Sequence, residues 1–168
     1  MKEINYKEAL EITTAHLSDG GVFLNVGGEK PNTMTIGWAT IGYIWKKPVF
    51  MALVRKQRHS WDLIARAGEF TVSVPTKNAL KEELIFAGTK SGRDYDKFSG
   101  HGITAVPARK VNAPIIGECG IHFECKTLLQ QDMDPAMMDE LLKNGIYAAG
   151  DYHTMFFGEI VACYSTDA

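Results

Sequence analysis

Hydrophobic and polar positions change over in short runs along most of this chain, and only a few stretches carry a helical period. Tyr6 to His16 is one of them: Ala9, Leu10 and Ile12 fall on one stripe and predict a short leading helix. Gly20-Gly21 then opens a strand that runs through Val26. Gly27 to Asn32 predicts a turn, because its glycines permit positive φ and Pro31 cannot donate to a ladder. Thr33 to Ile44 and Pro48 to Arg55 carry the β-branched and aromatic residues of strands, with Lys46-Lys47-Pro48 punctuating them. Ser60 to Ala67 predicts a helix stopped by Gly68, and Phe70 to Val74 alternates as a half-buried strand does.

The second half continues in the same manner. Asn78 to Ala87 predicts a helix that gives way at Gly88 to a polar loop, Thr89 to Gly102. Ile103 to Val106 and Gly120 to Leu129 are extended. Asp134 to Lys143 predicts a helix in which Asp134 caps, Pro135 suits the first turn and Asn144-Gly145 ends it. Thr154 to Cys163 is a closing strand, apolar on both faces. Strands joined by hairpins, without a regular strand-helix alternation, predict a mainly β fold with inserted helices. An antiparallel barrel fits this order better than a doubly wound sheet.

Composition narrows the class further. A chain of 168 residues without repeats or a Pro, Gly or Ser-rich linker is expected to form one domain over 1–168, large enough to stand on a hydrophobic core. The 18 basic residues are balanced by 20 acidic ones for a net charge of -2, which argues against a nucleic-acid partner. No apolar run approaches the ~20 residues that span a bilayer, and the N-terminal residues lack a signal-peptide core, so a cytoplasmic protein is expected. Cys119 and Cys125, taken to share one strand, lie roughly 20 Å apart and beyond disulfide reach, so reduced thiols are expected. Neither CxxC nor HExxH occurs, and no metal site is expected.

The chemistry concentrates in Arg55-Lys56-Gln57-Arg58-His59-Ser60-Trp61-Asp62-Leu63-Ile64, where two arginines, a histidine and a hydroxyl meet the start of a helix. Ser60 as N-cap, with the free amides of the first turn, favours negative charge, and arginine can hold two phosphate oxygens at once. On spacing alone, the same segment also fits a solvated basic turn before an amphipathic helix. Neither GxGxxG nor a P-loop is present, so a phosphate here would sit on another scaffold.

Five ordered blocks settle the choice. They are Asn32-Thr33-Met34-Thr35 with Trp38, Arg55 to Ile64, Glu69 to Pro75, Ser91 to Phe98, and Asp151 to Ile160. In this order the chain resembles the flavin reductase-like family, the FMN-binding split barrels that include flavoredoxins and flavin:NAD(P)H reductases. The resemblance implies an antiparallel split β-barrel of Greek-key type, a homodimer, and non-covalent FMN laid over the strand that starts at Asn32. It places Thr33 and Thr35 at the flavin's pyrimidine edge and Met34 and Trp38 against its ring. Arg55, Arg58, His59 and Ser60 fall on the phosphate side, with Ser91 and Lys97 from the polar loop as further contacts. His153, before the closing strand, is the residue placed near the flavin and the nicotinamide. His122 is a weaker competitor for that role, and His16 and His101 are expected at the surface. NADH or NADPH is then a transient donor, and free flavin, ferric iron or a redox protein the acceptor. The alternative is a flavoredoxin-like electron carrier with little NAD(P)H activity.

Overall fold

The computed structural model describes residues 1–76 and 80–166. In chain order the elements are β1 (Lys2–Glu3), α1 (Tyr6–Ser18), β2 (Val22–Val26), β3 (Asn32–Ile36), β4 (Ala39–Ile44), β5 (Lys47–Arg55) and α2 (His59–Ala67). They continue with β6 (Glu69–Val74), α3 (Lys81–Thr89), β7 (Ala105–Val106), β8 (Ile115–Ile116), β9 (Ile121–Asp132), α4 (Glu140–Asn144) and β10 (His153–Ser165). The main sheet is antiparallel, in the order β3-β2-β6-β9-β10-β5-β4, with β1 added beside β10.

The expected strand from Thr33 to Ile44 is two strands at opposite ends of that order, with only Gly37 and Trp38 between them. Seven strands laid flat would separate the end strands by roughly 29 Å at ~4.8 Å per step. The two linking residues reach only about 10 Å. The sheet therefore rolls until its edges meet, and β3 and β4 remain unpaired with each other. Trp38 stands at this seam, where its carbonyl accepts from the Leu53 amide at 3.2 Å. The split barrel expected from the resemblance follows from this geometry.

Inside the roll, Phe50 contacts Phe70 and Phe123 edge-on, with centroids 6.5 and 5.3 Å apart. All five residues from Phe70 to Val74 are buried, so β6 is not the half-buried strand its alternation suggested. Its outer face is covered by a second cluster that includes Phe23, Leu84 and Ile116, and its polar residues are bonded there. The amide of Asn25 donates to the hydroxyls of Thr71 and Ser73 at 3.0 and 3.1 Å, which offsets the cost of burying them.

Other expectations shift for local reasons. α1 starts as predicted, with Asn5 accepting from the Lys7 amide, but Ile12 is exposed. Thr13 is buried in its place, because its hydroxyl is satisfied within the helix by Ala9 O at 2.6 Å. The expected start of the third helix at Asn78 lies outside the described residues. That helix runs through Gly88 to Thr89, because Gly88 is a close-approach residue: a Cβ there would come 3.3 Å from Thr35 Cβ. The expected helix from Asp134 to Lys143 breaks in two. Asp134 caps a 3-10 turn over Pro135–Met137, and Asp139 accepts from the Leu141 amide to start α4 afresh. Neither piece buries a residue, so no packing holds them in one helix.

Cys119 precedes β9 and does not lie on it; it and Cys125 are buried, while Cys163 is half-buried. Burial pushes the Cys125 thiol well up and that of Cys163 to about 12, so both are protonated near neutrality. Among the described residues, no helix is long and apolar enough to cross a membrane, and no cluster of His, Cys, Asp and Glu could hold a metal ion.

Gly158 lies where β10 shifts register against β9, and a Cβ there would stand 2.8 Å from both Phe70 Cζ and Cys125 Cβ. Gly158→Ala is expected to destabilise the fold by about 2 kcal/mol through overpacking, seen as a lower urea midpoint. An unchanged midpoint would show that the core yields at this point.

Candidate functional site

The rolled sheet brings the first turn of α2, the start of β3 and the loop after α3 to one cleft of about 180 Å³. Asn32, Arg58, His59, Ser60, Ser91 and Lys97 all line it. The N-cap of α2 is Arg58, with φ -73° and ψ 136° and no side-chain cap bond, and not Ser60 as predicted. Ser60 lies inside the first turn and is buried; its Oγ accepts from Asn32 Nδ2 at 2.8 Å. That bond uses the oxygen as acceptor and leaves the hydroxyl proton to donate elsewhere. Gly92 closes the wall, and a Cβ there would overlap the Asn32 side-chain oxygen.

Two cations set the electrostatics. Arg58 Nη2 donates to Gly88 O at 2.5 Å, and Lys97 Nζ donates to Thr33 O and Ala87 O at 2.8 Å each. Among the described residues, neither is ion-paired. Arg55 and Arg93, by contrast, are held by Asp151 and Asp62, each at 3.0 Å. Burial, and after it the neighbouring Arg58, pushes Lys97 down to about 8. Burial likewise lowers Arg58, helped by Arg55 and opposed by Asp151. Lysine has three donors, so one remains for a ligand. A charge desolvated without a counterion is costly, and an anion in the cleft would relieve that cost.

A second cleft of about 290 Å³ adjoins the first and shares Met34 and Arg58 with it. Thr35, Trp38, Leu53, Arg55 and His153 complete much of its lining. Because β3 is an edge strand, one side of its backbone has no partner strand and is available to a ligand. Trp38 is 43% exposed, and its ring lies 5.2 Å from that of His153. Thr33 lines neither cleft; it is fully buried and its hydroxyl has no partner. Thr35 spends its proton on Leu84 O at 2.5 Å.

Several residues here carry no local signal in the sequence. Tyr147 places its hydroxyl 2.8 Å from His153 Nδ1. Asp151, at φ 54°, holds Arg55 through both its backbone and side-chain oxygens, and it also accepts a short bond from Gln57 Nε2. Burial, with Arg55 adding to it and Asp151 opposing, lowers His153 to about 4, so its imidazole is neutral at physiological pH. The other histidines separate clearly. His122 is fully buried, with Nδ1 3.1 Å from Ser73 Oγ, and so supports the core. His101 stacks on Phe86 with centroids 4.0 Å apart and is not the plain surface residue expected. His59 Nδ1 has no partner beside the first cleft, and burial and then Arg93 lower its pKa.

The family model for the flavin reductase like domain matches residues 15–168. A protein of Archaeoglobus fulgidus is 32% identical over 142 residues, which cover 84% of this chain and 70% of that protein. One of Pyrococcus abyssi is 33% identical over 137 residues, covering 80% and 66%. Among solved structures, the flavoredoxin of Desulfovibrio vulgaris (Miyazaki F) superposes with a TM-score of 0.68 at 27% identity, covering 88% of this chain and 70% of that one. The NADH:FAD oxidoreductase of Streptomyces globisporus C-1027 gives 0.67 at 19% identity over 98% and 87%, a likeness of fold alone. With its sequence matched almost throughout and its split sheet shared with these structures, the chain belongs to the flavin reductase-like family.

Proposed function

We propose that this protein is an FMN-dependent oxidoreductase that takes hydride from NADH or NADPH and passes electrons to an acceptor such as free flavin, ferric iron or a redox protein. The observation that carries this reading is a pair of cations, Lys97 buried and Arg58 half-buried, neither ion-paired among the described residues, in a cleft that adjoins a second one lined by Met34 and Trp38. The residues present fit FMN. Arg58, Lys97 and the Ser60 hydroxyl would hold its phosphate without covalent attachment, Asn32 keeps Ser60 oriented, and Ser91 lines the same wall. Met34 and Trp38 offer apolar surface to the ring, and the unpaired side of β3 offers backbone groups to its polar edge. When bound, FMN supplies hydride acceptance at N5 and electron release to the acceptor. Arg58, which borders both clefts, would also favour negative charge in the second one, and neutral His153 could donate there without adding charge.

A flavoredoxin-like electron carrier is the second reading. It is favoured by the 27% identity to the Desulfovibrio flavoredoxin and by the exposure of Trp38, which leaves the second cleft open to a protein partner. Either reading is compatible with a homodimer, supported by the exposed apolar residues Tyr43, Trp45, Leu128 and Leu129 on one part of the sheet.

The deciding experiment loads the protein with FMN and adds NADH or NADPH without oxygen while the visible flavin absorbance is followed. Rapid bleaching is expected. Retained colour would favour the carrier, and failure to bind FMN would overturn both readings. The cleft also predicts a pH dependence. Lys97 in the ligand-free protein ionises at about 8, and a bound phosphate raises that value, so binding at pH 8 or above takes up a proton. FMN affinity should hold below pH 8 and weaken as pH rises through it, by at most about tenfold per unit until the bound-state value is reached. The phosphate itself, with its second pKa at about 6, adds no titration in that range. Fluorescence titrations giving a flat profile between pH 7 and pH 9.5, roughly the range this linkage covers, would contradict the role of Lys97.

A further inference from the structure

Between Gln131 and Tyr152, Tyr147 is the one buried residue, and it is the residue whose hydroxyl meets His153. The segment is otherwise exposed or half-buried, and α4 within it buries nothing. What fixes Tyr147 is a set of contacts to the cleft wall. The Arg55 guanidinium lies 5.7 Å from the centre of its ring, and the same arginine is tied to Asp151. The Tyr147 carbonyl accepts from the Gly150 amide at 2.8 Å, and the Tyr152 ring flanks it at 5.2 Å.

The 2.8 Å contact can run in two directions, and the surroundings choose between them. If Nδ1–H donated to the phenol oxygen, the phenol proton would have no acceptor among the described residues, on a residue only 5% exposed. A buried donor left unmade costs about 1–3 kcal/mol. If the phenol donates, its proton is satisfied and the imidazole carries its own proton on Nε2. That atom has no protein partner among the described residues and is not among the buried unpartnered ones, so it is open, on a residue that lines the second cleft beside Trp38.

We propose that Tyr147 is a positioning residue whose hydroxyl donates to His153 Nδ1, holding the ring as the Nε2–H tautomer so that it presents a hydrogen-bond donor to the second cleft. The charged groups facing His153 are Arg55, its register partner on β5, and Asp151, which Arg55 already holds. Burial and Arg55 keep the ring neutral, at about 4, so the donor persists through the physiological range. A neutral N–H in this place suits an oxygen that gains electron density during hydride transfer, such as a carbonyl of the flavin that accepts the hydride. The donor moves no proton; it orients and polarises. The assignment of an acceptor rests on the hydride-transfer reading, whereas the tautomer does not.

The test uses the FMN-loaded chain with ¹⁵N-labelled histidine, since ring-nitrogen shifts distinguish the two tautomers. The wild type is expected to show His153 as Nε2–H, unchanged from about pH 5 upward. An Nδ1–H tautomer overturns the proposal without any variant. Tyr147→Phe is expected to give mixed tautomers and to slow anaerobic flavin reduction by nicotinamide on the order of tenfold, with a much smaller change in FMN affinity. In a His153→Gln background, the same change should have no further effect on that rate. A Tyr147→Phe protein that keeps a pure Nε2–H tautomer contradicts the role given to Tyr147. If nicotinamide reduces no form of the protein, the hydride-transfer reading fails while the ¹⁵N shifts still decide the tautomer.

Discussion

The two-residue link between β3 and β4 is the constraint on which the rest of this structure depends. Gly37 and Trp38 cannot span a flat sheet of seven strands, so the sheet rolls up without closing and the ends of β3, β5 and β10 converge. Convergence leaves the outer side of β3 unpaired beside the first turn of α2. An edge in that position would ordinarily invite another strand. Here α3 and the loop that carries Lys97 cover part of it, and the remainder forms the cleft.

The electrostatics follow from the same rolling. Arg55 and Arg93 are paired with carboxylates, while Arg58 and Lys97 donate to backbone carbonyls and have no ion pair among the described residues. Carbonyl dipoles orient these side chains without cancelling their charge. A protein with a net charge of -2 thereby keeps a local positive site. The carboxylate pairing has a second consequence, since Arg55 joins the cleft wall to the segment that brings Tyr147 under His153.

Much of this was legible in the sequence because the signals were local. Turn glycines, Pro31 and β-branched runs marked the hairpins, and the basic cluster around Arg58 marked residues that line the first cleft, though its spacing alone also fitted a solvated basic turn. Tertiary effects account for what was missed. Ser60 has the chemistry of an N-cap, yet it lies two residues past the cap, inside the first turn, where its bond to Asn32 crosses to another element. The run from Thr33 to Ile44 has uniform strand propensity, and only the rolling of the sheet divides it. Tyr147 sits in a polar stretch with no periodicity, and its burial depends on Arg55 and His153, neither of which is near it in a helical or strand pattern.

The central claim is that the inner cations recognise a phosphate monoester, and comparing FMN with riboflavin on the same protein tests it most directly. The two ligands share the ring and differ in the phosphate. Two charge-assisted bonds of about 1.5–3 kcal/mol each predict that FMN binds at least ~100-fold more tightly. Equal affinities would show that Arg58 and Lys97 hold no ligand phosphate and that the cleft serves another purpose.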